Sequence, residues 1–200
     1  MSHFIYLVRH GEQQDAEFGL PDGPLSEKGK LQAAAIGDRL ASVPFTGAWH
    51  SPLERAVETA QIIESHLGGV KSDPSTLLFD CYPSGPSPDM PHAFDQFFGG
   101  VTSDEIEAGS AQTADAVSEF LTPARGDRHD LLVTHNFVIS WFVREVLDAP
   151  RWRWLGINQA HAGLTIIRVR SAKPPVLVTH NDLGHLPPEL RTGMPIEQPY

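Results

Sequence analysis

The amino-acid sequence predicts an α/β fold: a single three-layer α/β/α domain with a mostly parallel central sheet. Two stretches, residues 5–8 and 130–134, are apolar enough to be strands that are buried on both faces. Around them, segments with helical apolar spacing alternate with short strand-like runs. That alternation is typical of parallel strands that are connected by helices covering both faces of the sheet.

The composition fits one domain with a substantial core. The chain has 200 residues, of which 40% are hydrophobic and 20% are charged. Because no linker-like boundary and no long repeat interrupts it, we predict one domain over residues 1–200. Residues 80–100 include four prolines, which disfavour both a helix and a central strand. We expect this segment to be a small insertion that forms a lid or a rim, with an inert surface loop as the alternative.

Helix and strand signals follow one another along the whole chain. Ser26 and Ser51 are each expected to cap a helix, because each precedes helical apolar spacing. The tail from Pro187 is rich in proline and polar residues. In chain order we predict a loop at 13–23, a helix at 26–42, a strand at 47–50, a helix at 51–67, a strand at 76–79, a helix around Phe94, Phe97 and Phe98, a helix at 103–122, a strand at 130–134, a helix at 137–147, and strands at 164–169 and 176–178.

Charge and cysteine content exclude several classes of protein. The net charge of -10 argues against nucleic acid or an anionic membrane as the main partner, because both are bound by basic patches. No window is apolar enough to span a membrane, and the apolar run at 4–8 is too short for a signal peptide. A cytoplasmic location is the default expectation. The single cysteine, Cys81, is interpreted as a plain thiol, since a reactive-cysteine phosphatase needs an arginine where Ser87 stands.

The first strand ends in a group of residues suited to phosphate chemistry. Residues 5–12 read I-Y-L-V-R-H-G-E, and open α/β sheets bind ligands at the carboxyl ends of such strands. The Arg9 guanidinium suits phosphate, and an imidazole nitrogen of His10 can attack phosphorus. Gly11 lets the backbone turn and approach a ligand closely. Arg-His-Gly also recurs by chance, and alone it would indicate an ordinary strand end.

Arg55 is a second candidate for phosphate binding. It lies in the first turn of the helix predicted at 51–67, where the helix N-terminus and a guanidinium together favour an anion. The alternative is a surface residue that pairs with Glu58 or Thr59.

His135 is a candidate of the same kind as His10, because it ends a buried strand and begins a helix. As an imidazolium it could donate to a phosphoryl oxygen, and the alternative is a satisfied core histidine. The run L-V-T-H-N at 132–136 recurs at 177–181 around His180, but no helix follows there to help hold an anion. We therefore choose His135, interpret His180 as structural and leave the role of His185 open.

A phosphoryl transfer also needs a proton donor for the leaving oxygen. Asp80, which follows the strand predicted at 76–79, is our candidate, provided that burial raises its pKa. Glu12 competes, since it lies two residues from His10, and a turn-starting aspartate is the alternative for Asp80. No metal and no cofactor is expected, because the ten histidines form no H-x-x-x-H pair and no cysteine–histidine cluster.

Three of these segments, 7–12, 51–60 and 132–136, resemble the histidine phosphatase (phosphoglycerate-mutase-like) superfamily. The resemblance implies that His10 is phosphorylated, that Arg9, Arg55 and His135 hold the phosphate, and that a carboxylic acid, here Asp80, protonates the leaving group. We place Asn136 among the phosphate-binding residues as well.

Parts of the remaining chain are similar to the mitochondrial mutase-like protein phosphatases and their bacterial relatives, in the runs N-Q-A-H-A-G-L-T-I-I at 158–167 and L-G-H-L-P-P at 183–188. The chain departs from the superfamily pattern at three positions: Gln13 replaces threonine or serine, Asn136 replaces glycine, and Asp80 replaces glutamate. These departures leave the phosphate clamp intact.

The expected function is a metal-independent phosphomonoesterase that works through a phosphohistidine on His10. Mutases of the superfamily carry a larger insertion over the pocket, and this chain has only residues 80–100 to spare. A phosphoglycerate mutase is one alternative, and a non-catalytic phosphate-binding module is another. The expected partner is a phosphorylated small molecule or a phosphoprotein, with a homodimer as one option for the oligomeric state.

Overall fold

The molecule is built on a six-stranded sheet with the strand order β3-β2-β4-β1-β5-β6. The structure is a computed structural model that describes residues 1–16 and 21–194. Parts of the loop predicted at 13–23 and of the tail from Pro187 lie outside the described residues. The strands are β1 (His3–Arg9), β2 (Gly47–His50), β3 (Asp73–Pro74), β4 (Arg128–Thr134), β5 (Leu164–Arg170) and β6 (Lys173–Asp182).

The centre of the sheet is parallel, as predicted. Strand β1 pairs with β4 in parallel, and β2 pairs in parallel with both β4 and β3. Strands β5 and β6 extend the sheet in the antiparallel direction beyond β1. In the parallel register Arg9 lies opposite Thr134, so the residues that follow them, His10 and His135, leave the sheet side by side.

Helices cover both faces of the sheet and give the three predicted layers. One core cluster joins the sheet to α1 (Glu27–Leu40) and α2 (Glu54–His66), with Ile36 and Ile63 fully buried. The other joins it to α3 (Ser103–Phe120) and α4 (Asn136–Val146), with Phe142 fully buried. Burying apolar side chains on both faces is the main favourable contribution to the stability of such a sheet.

The predicted helix starts are right in two cases and wrong in one. Ser26 caps α1 by accepting from the Gly29 amide at 3.0 Å. Thr102 and Glu105 form a reciprocal capping box at the start of α3. The helix predicted from Ser51 begins only at Glu54 and has no side-chain cap.

The strand predicted at 76–79 is wrong. Residues Thr76–Leu78 form a 3-10 turn, and the strand of this region is the two-residue β3, which pairs with β2. Here the turn buries Leu78 completely, and the Leu78 carbonyl accepts from Thr134 Oγ1 at 2.7 Å. Packing of one leucine beneath the end of β4 thus overrides the local preference for an extended chain.

The segment predicted as a lid or rim, residues 80–100, lies beside the start of α4. Its aromatic stretch is a 3-10 helix, His92–Phe98, with no buried residue. Rings of Tyr82 and Phe97 contact Phe137 of α4, with centroids 6.1 and 5.7 Å away. Among the residues that the structure describes, no helix is both long and apolar enough to cross a membrane.

A close approach of two glycines fixes the loop after β1 against α1. A Cβ added at Gly11 would lie 2.6 Å from the Gly29 carbonyl oxygen, and one added at Gly29 would lie 2.2 Å from the Glu12 carbonyl oxygen. Both atoms are backbone, so neither can rotate away. The Gly11 that was expected to serve a ligand therefore serves the packing of the site loop on α1.

We predict that Gly29→Ala destabilises the protein despite improving helix propensity. Alanine in a helix gains up to about 1 kcal/mol over glycine, whereas overpacking of this contact costs roughly 1–3 kcal/mol. Urea unfolding would measure the difference. Gly126→Ala, in the loop before β4, is the control for an unobstructed glycine-to-alanine change, since no atom lies within 4 Å of its added Cβ. A Gly29→Ala variant as stable as the control contradicts the contact.

Candidate active site

Arg55 lies at the centre of a cluster of charged and ring side chains at the carboxyl ends of β1 and β4. It is the second residue of α2, and only 5% of its surface is exposed. A guanidinium has five N–H donors, and each of them has an acceptor here. The acceptors are the Pro21 carbonyl (3.0 Å) and Asp22 Oδ1 (3.2 Å) for Nη1, His10 Nε2 (3.2 Å) for Nε, and His135 Nδ1 (3.2 Å) and Asp80 Oδ2 (3.4 Å) for Nη2.

These contacts determine the protonation of His10. Its Nδ1 lies 2.7 Å from the Gly11 carbonyl, an acceptor, and therefore carries the hydrogen. Its Nε2 faces the N–H donor of Arg55 and therefore carries a lone pair. Burial lowers the pKa of His10 well below its ordinary value, and His135 and Arg9 lower it further. His10 is thus a neutral imidazole whose hydrogen is on Nδ1 and whose lone pair is on Nε2.

His135 is oriented by Ser51, the serine that was expected to cap α2. Its Nδ1 accepts from Arg55, and its Nε2 donates to Ser51 Oγ at 2.7 Å. Burial lowers the pKa of His135 well below its ordinary value, with Arg55 and Arg9 acting in the same direction. The imidazolium expected from the sequence is therefore not the form that the protein alone favours, because two guanidinium groups oppose a further positive charge.

Asp80 is brought to the cluster, and Glu12 is not. The Asp80 carboxylate lies 3.4 Å from Arg55 and 3.9 Å from His135 Nδ1. Enclosure in the crevice raises the pKa of Asp80, while Arg55 and Arg9 act against that rise. About two fifths of the side chain, 40%, still faces solvent. Glu12 instead accepts from Ser26 Oγ at 2.9 Å, at the start of α1.

Arg9 borders the cluster with one side of its guanidinium engaged. Its Nη1 donates to the carbonyls of Gln159 and Gly193, at 2.6 and 2.8 Å. Its Nε is buried without a hydrogen-bond partner among the residues that the structure describes. Burial lowers the pKa of Arg9 to about 10, with Asp80 opposing the effect, so the group keeps its charge at neutral pH. A buried unpaired N–H of a cation can donate to an anion.

Asn136, which was expected to bind phosphate, turns its side chain to a neighbouring loop. Its Nδ2 donates to Asn158 and its Oδ1 accepts from the Gln159 amide, at 3.1 and 2.8 Å. Asn136 thereby fixes the loop whose Gln159 carbonyl holds Arg9. Its part in phosphate binding stays a prediction.

Three residues of the cluster were not assigned to the site from the sequence. Asp22 pairs with Arg55, Ser51 orients His135, and the ring of His161 lies tilted beside that of His10 with centroids 5.6 Å apart. Only His161 offered a signal, since it stands in the N-Q-A-H run among small residues. The residues that His161 contacts lie far away along the chain, so local sequence patterns do not reveal these contacts.

The other histidines and the cysteine lie outside the cluster. His180 belongs to β6, where its Nδ1 contacts Thr165 Oγ1 at 3.2 Å, and His185 contacts the Ala162 carbonyl at 3.0 Å. Burial raises the pKa of Cys81 to about 12, so the thiol is not ionised at neutral pH. Within residues 1–16 and 21–194, no group of three histidine, cysteine or acidic side chains is arranged to hold a metal ion.

Solved structures share this fold. YhfR of Bacillus stearothermophilus superposes with a TM-score of 0.74 at 24% identity, covering 92% of this chain and 98% of that one. The α-ribazole phosphatase of Shigella flexneri gives 0.70 at 20% identity, covering 96% and 98%. The protein therefore has the α/β fold of the phosphatases in this structural class.

The sequence comparisons show similarity to one family. A profile of the histidine phosphatase superfamily (branch 1) matches residues 5–78. The mitochondrial serine/threonine-protein phosphatase PGAM5 of Rattus norvegicus is 30% identical over 191 residues, which cover 92% of this chain. Residues 5–78 thus carry the sequence pattern of the histidine phosphatase superfamily, and the similarity to this relative extends over most of the chain. The chain spans 64% of the length of that relative.

We predict that the site makes the protein sensitive to mild acid. The pKa values of His10, His135 and His161 are all lowered by burial. Below their unfolded pKa of about 6.5 the unfolded chain binds more protons, so stability falls as the pH drops. Each histidine contributes a slope of up to about 1.4 kcal/mol per pH unit. The raised pKa of Asp80 acts in the opposite direction, but one carboxyl does not offset three histidines.

The free energy of unfolding by urea, measured from pH 7.5 to 5, tests this. His135→Gln removes one of the titrating groups, so its slope below pH 6.5 is expected to be smaller by about one proton. His92→Gln is the control, since His92 is exposed in the 92–98 segment. A slope that is unchanged in His135→Gln speaks against the neutral cluster.

Proposed function

We propose that this protein is a phosphomonoesterase that works without a metal ion and through a phosphohistidine intermediate on His10. The observation that carries the proposal is the state of His10. Its Nδ1–H is fixed by the Gly11 carbonyl, and its Nε2 lone pair faces the cluster next to Arg55. A neutral, oriented imidazole beside two cationic guanidinium groups suits in-line attack on phosphorus.

In the first step, His10 Nε2 forms a bond to phosphorus while the bond from phosphorus to the ester oxygen breaks. A phosphoryl group would draw the Arg55 guanidinium onto its oxygens and so release the His10 lone pair. Arg9 Nε and Arg55 then stabilise the charge on the transferring oxygens. Asp80, whose raised pKa favours the neutral acid, gives its proton to the leaving oxygen.

In the second step, water attacks phosphorus and the bond from phosphorus to His10 Nε2 breaks. The Asp80 carboxylate takes a proton from that water, and inorganic phosphate leaves. The products are an alcohol and phosphate, and both His10 and Asp80 return to their initial forms. A bound phosphate dianion offsets the effect of the two guanidinium groups that lower the pKa of His135, so that His135 gains a proton. The protonated ring then donates to the phosphoryl oxygens.

Hydrolysis is favoured over a mutase reaction by the exposure of the acid. Asp80 keeps 40% of its side-chain surface in contact with solvent. Water therefore reaches the Asp80 carboxylate, which accepts the proton of the attacking water. A mutase must instead keep water away from its phosphoenzyme. A non-catalytic phosphate-binding module is disfavoured because it has no use for an oriented, neutral His10.

The substrate class is proposed from the relatives. The matched PGAM5 of Rattus norvegicus is named a serine/threonine-protein phosphatase, which makes a phosphoprotein one class of substrate. A phosphorylated small molecule is the other class, and the solvent exposure of Asp80 is compatible with either.

We predict that His10→Ala abolishes hydrolysis of p-nitrophenyl phosphate and the transient labelling of the protein by phosphate. Activity of the wild type is expected to survive a strong chelator, because the positive charge of the site comes from Arg9 and Arg55. His180→Ala is the control, since His180 stands in the same L-V-T-H-N run as His135 but lies in β6, outside the cluster. A fully active His10→Ala variant, or activity that needs an added divalent metal, overturns the proposal.

A second prediction concerns the acid. Asp80→Asn is expected to slow hydrolysis of alkyl phosphates by roughly 10²–10⁴-fold, the usual worth of a positioned general acid. Nitrophenyl phosphate is expected to be affected much less, because its leaving phenolate needs little protonation. Steady-state kinetics on both esters measure the contrast.

Glu12→Gln is the control for the acid. Its carboxylate binds Ser26 rather than the cluster. Glu12→Gln is therefore expected to affect alkyl and nitrophenyl phosphates equally. If Glu12→Gln shows the leaving-group dependence and Asp80→Asn does not, the two roles must be exchanged.

A further inference from the structure

One histidine beside the nucleophile has no part in the reaction described above. The ring of His161 lies next to the ring of His10, with centroids 5.6 Å apart. A Cβ placed on Gly193 would lie 2.6 Å from His161 Nδ1 and 2.9 Å from Arg9 Nη1, so His161 also lies beside Arg9. The imidazole thus borders the crevice between the nucleophile and one of the two arginines.

A directional chain of hydrogen bonds favours one tautomer of His161. The amide of Gln32 is fixed, because its Oε1 accepts from the Glu12 amide at 2.8 Å and its Nε2 donates to the Leu190 carbonyl at 2.7 Å. The same Nε2 donates to Thr192 Oγ1 at 2.9 Å. Gln32 is fully buried, so this arrangement does not exchange with water.

The Thr192 hydroxyl links Gln32 to His161. Its oxygen accepts from Gln32, and within the described residues the acceptor next to its hydroxyl hydrogen is His161 Nδ1, at 3.0 Å. The backbone adds a second link, since the His161 amide donates to the Thr192 carbonyl at 2.9 Å. With Nδ1 acting as an acceptor, the neutral ring carries its hydrogen on Nε2.

His161 is also kept neutral. Burial lowers its pKa well below the ordinary value, and Arg9 and Arg55 lower it further. In the part of the chain that the structure describes, Nε2 has no hydrogen-bond partner. A neutral N–H in this position can stabilise developing negative charge without adding to the positive charge that already holds phosphate, so it does not slow the release of the product.

We propose that His161 is a further catalytic residue, whose Nε2–H donates to a non-bridging oxygen of the phosphoryl group as it moves to and from His10. This proposal rests on the proposed phosphatase reaction. In it Gln32 and Thr192 are positioning residues, because they set the tautomer of His161 and do not touch the substrate.

The test compares side chains that keep or lose the donor at position 161. His161→Phe keeps a ring without an N–H and is expected to lower kcat/KM by about 10²-fold, the usual effect of removing one transition-state donor. His161→Gln places an amide N–H near the position of Nε2 and is expected to recover at least about ten-fold of that loss. The loss is expected to be equal for nitrophenyl and alkyl phosphates, in contrast to Asp80→Asn, because the donor acts on the phosphoryl group.

A second pair of variants tests the tautomer. Thr192→Val removes the hydroxyl, while Thr192→Ser keeps it as the matched control. Thr192→Val is expected to lower kcat/KM in the wild type and to have little further effect in His161→Phe, since both changes remove the same donor. Thr192→Ser is expected to keep the wild-type value.

The outcomes separate this inference from the proposed function. A wild type that hydrolyses none of the esters refutes the phosphatase reaction itself. An active wild type with a His161→Phe variant of equal activity refutes only the role of His161. Equal losses in His161→Phe and His161→Gln also refute it, because they assign the ring a packing role.

Discussion

The saturation of the Arg55 guanidinium is the constraint on which the rest of the site depends. Its five N–H groups reach two histidines, two aspartates and a backbone carbonyl that come from four separate parts of the chain. Because the donors of a guanidinium lie in one plane at fixed angles, they impose one geometry on all five acceptors. They also impose protonation states, since a ring nitrogen that accepts from Arg55 cannot carry a hydrogen of its own.

This arrangement places strong positive charge inside an acidic protein. The chain carries a net charge of -10, yet the buried Arg55 and the partly buried Arg9 lie at the same crevice with Asp80 and Asp22 as the nearby carboxylates. Buried charges need partners, and here the partners are groups that a phosphate dianion can replace. Burial is the main reason why the pKa values of the histidines are lowered, and the neighbouring guanidinium groups act in the same direction.

Much of the fold and part of the site could be predicted from the sequence. The apolar strands and the parallel register bring His10 and His135 together, and the start of α2 places Arg55. Predictions failed where a tertiary partner competed with a local preference. Ser51 looks like a helix cap but binds His135, and residues 76–79 look extended but turn to bury Leu78. The contacts of Arg9 and His161 with residues 192–193 join segments far apart in sequence, which no local pattern encodes.

In the proposed reaction His10 attacks through Nε2, because Nδ1 is held by the Gly11 carbonyl. The most direct measurement is nuclear magnetic resonance of the phosphoenzyme, trapped by acid-free quenching and labelled with ¹⁵N in histidine. The coupling between ³¹P and ¹⁵N identifies the nitrogen that carries phosphorus. We expect the phosphoryl group on Nε2 of His10. An active enzyme whose phosphoryl group is found on Nδ1, or on a residue other than His10, would contradict the account.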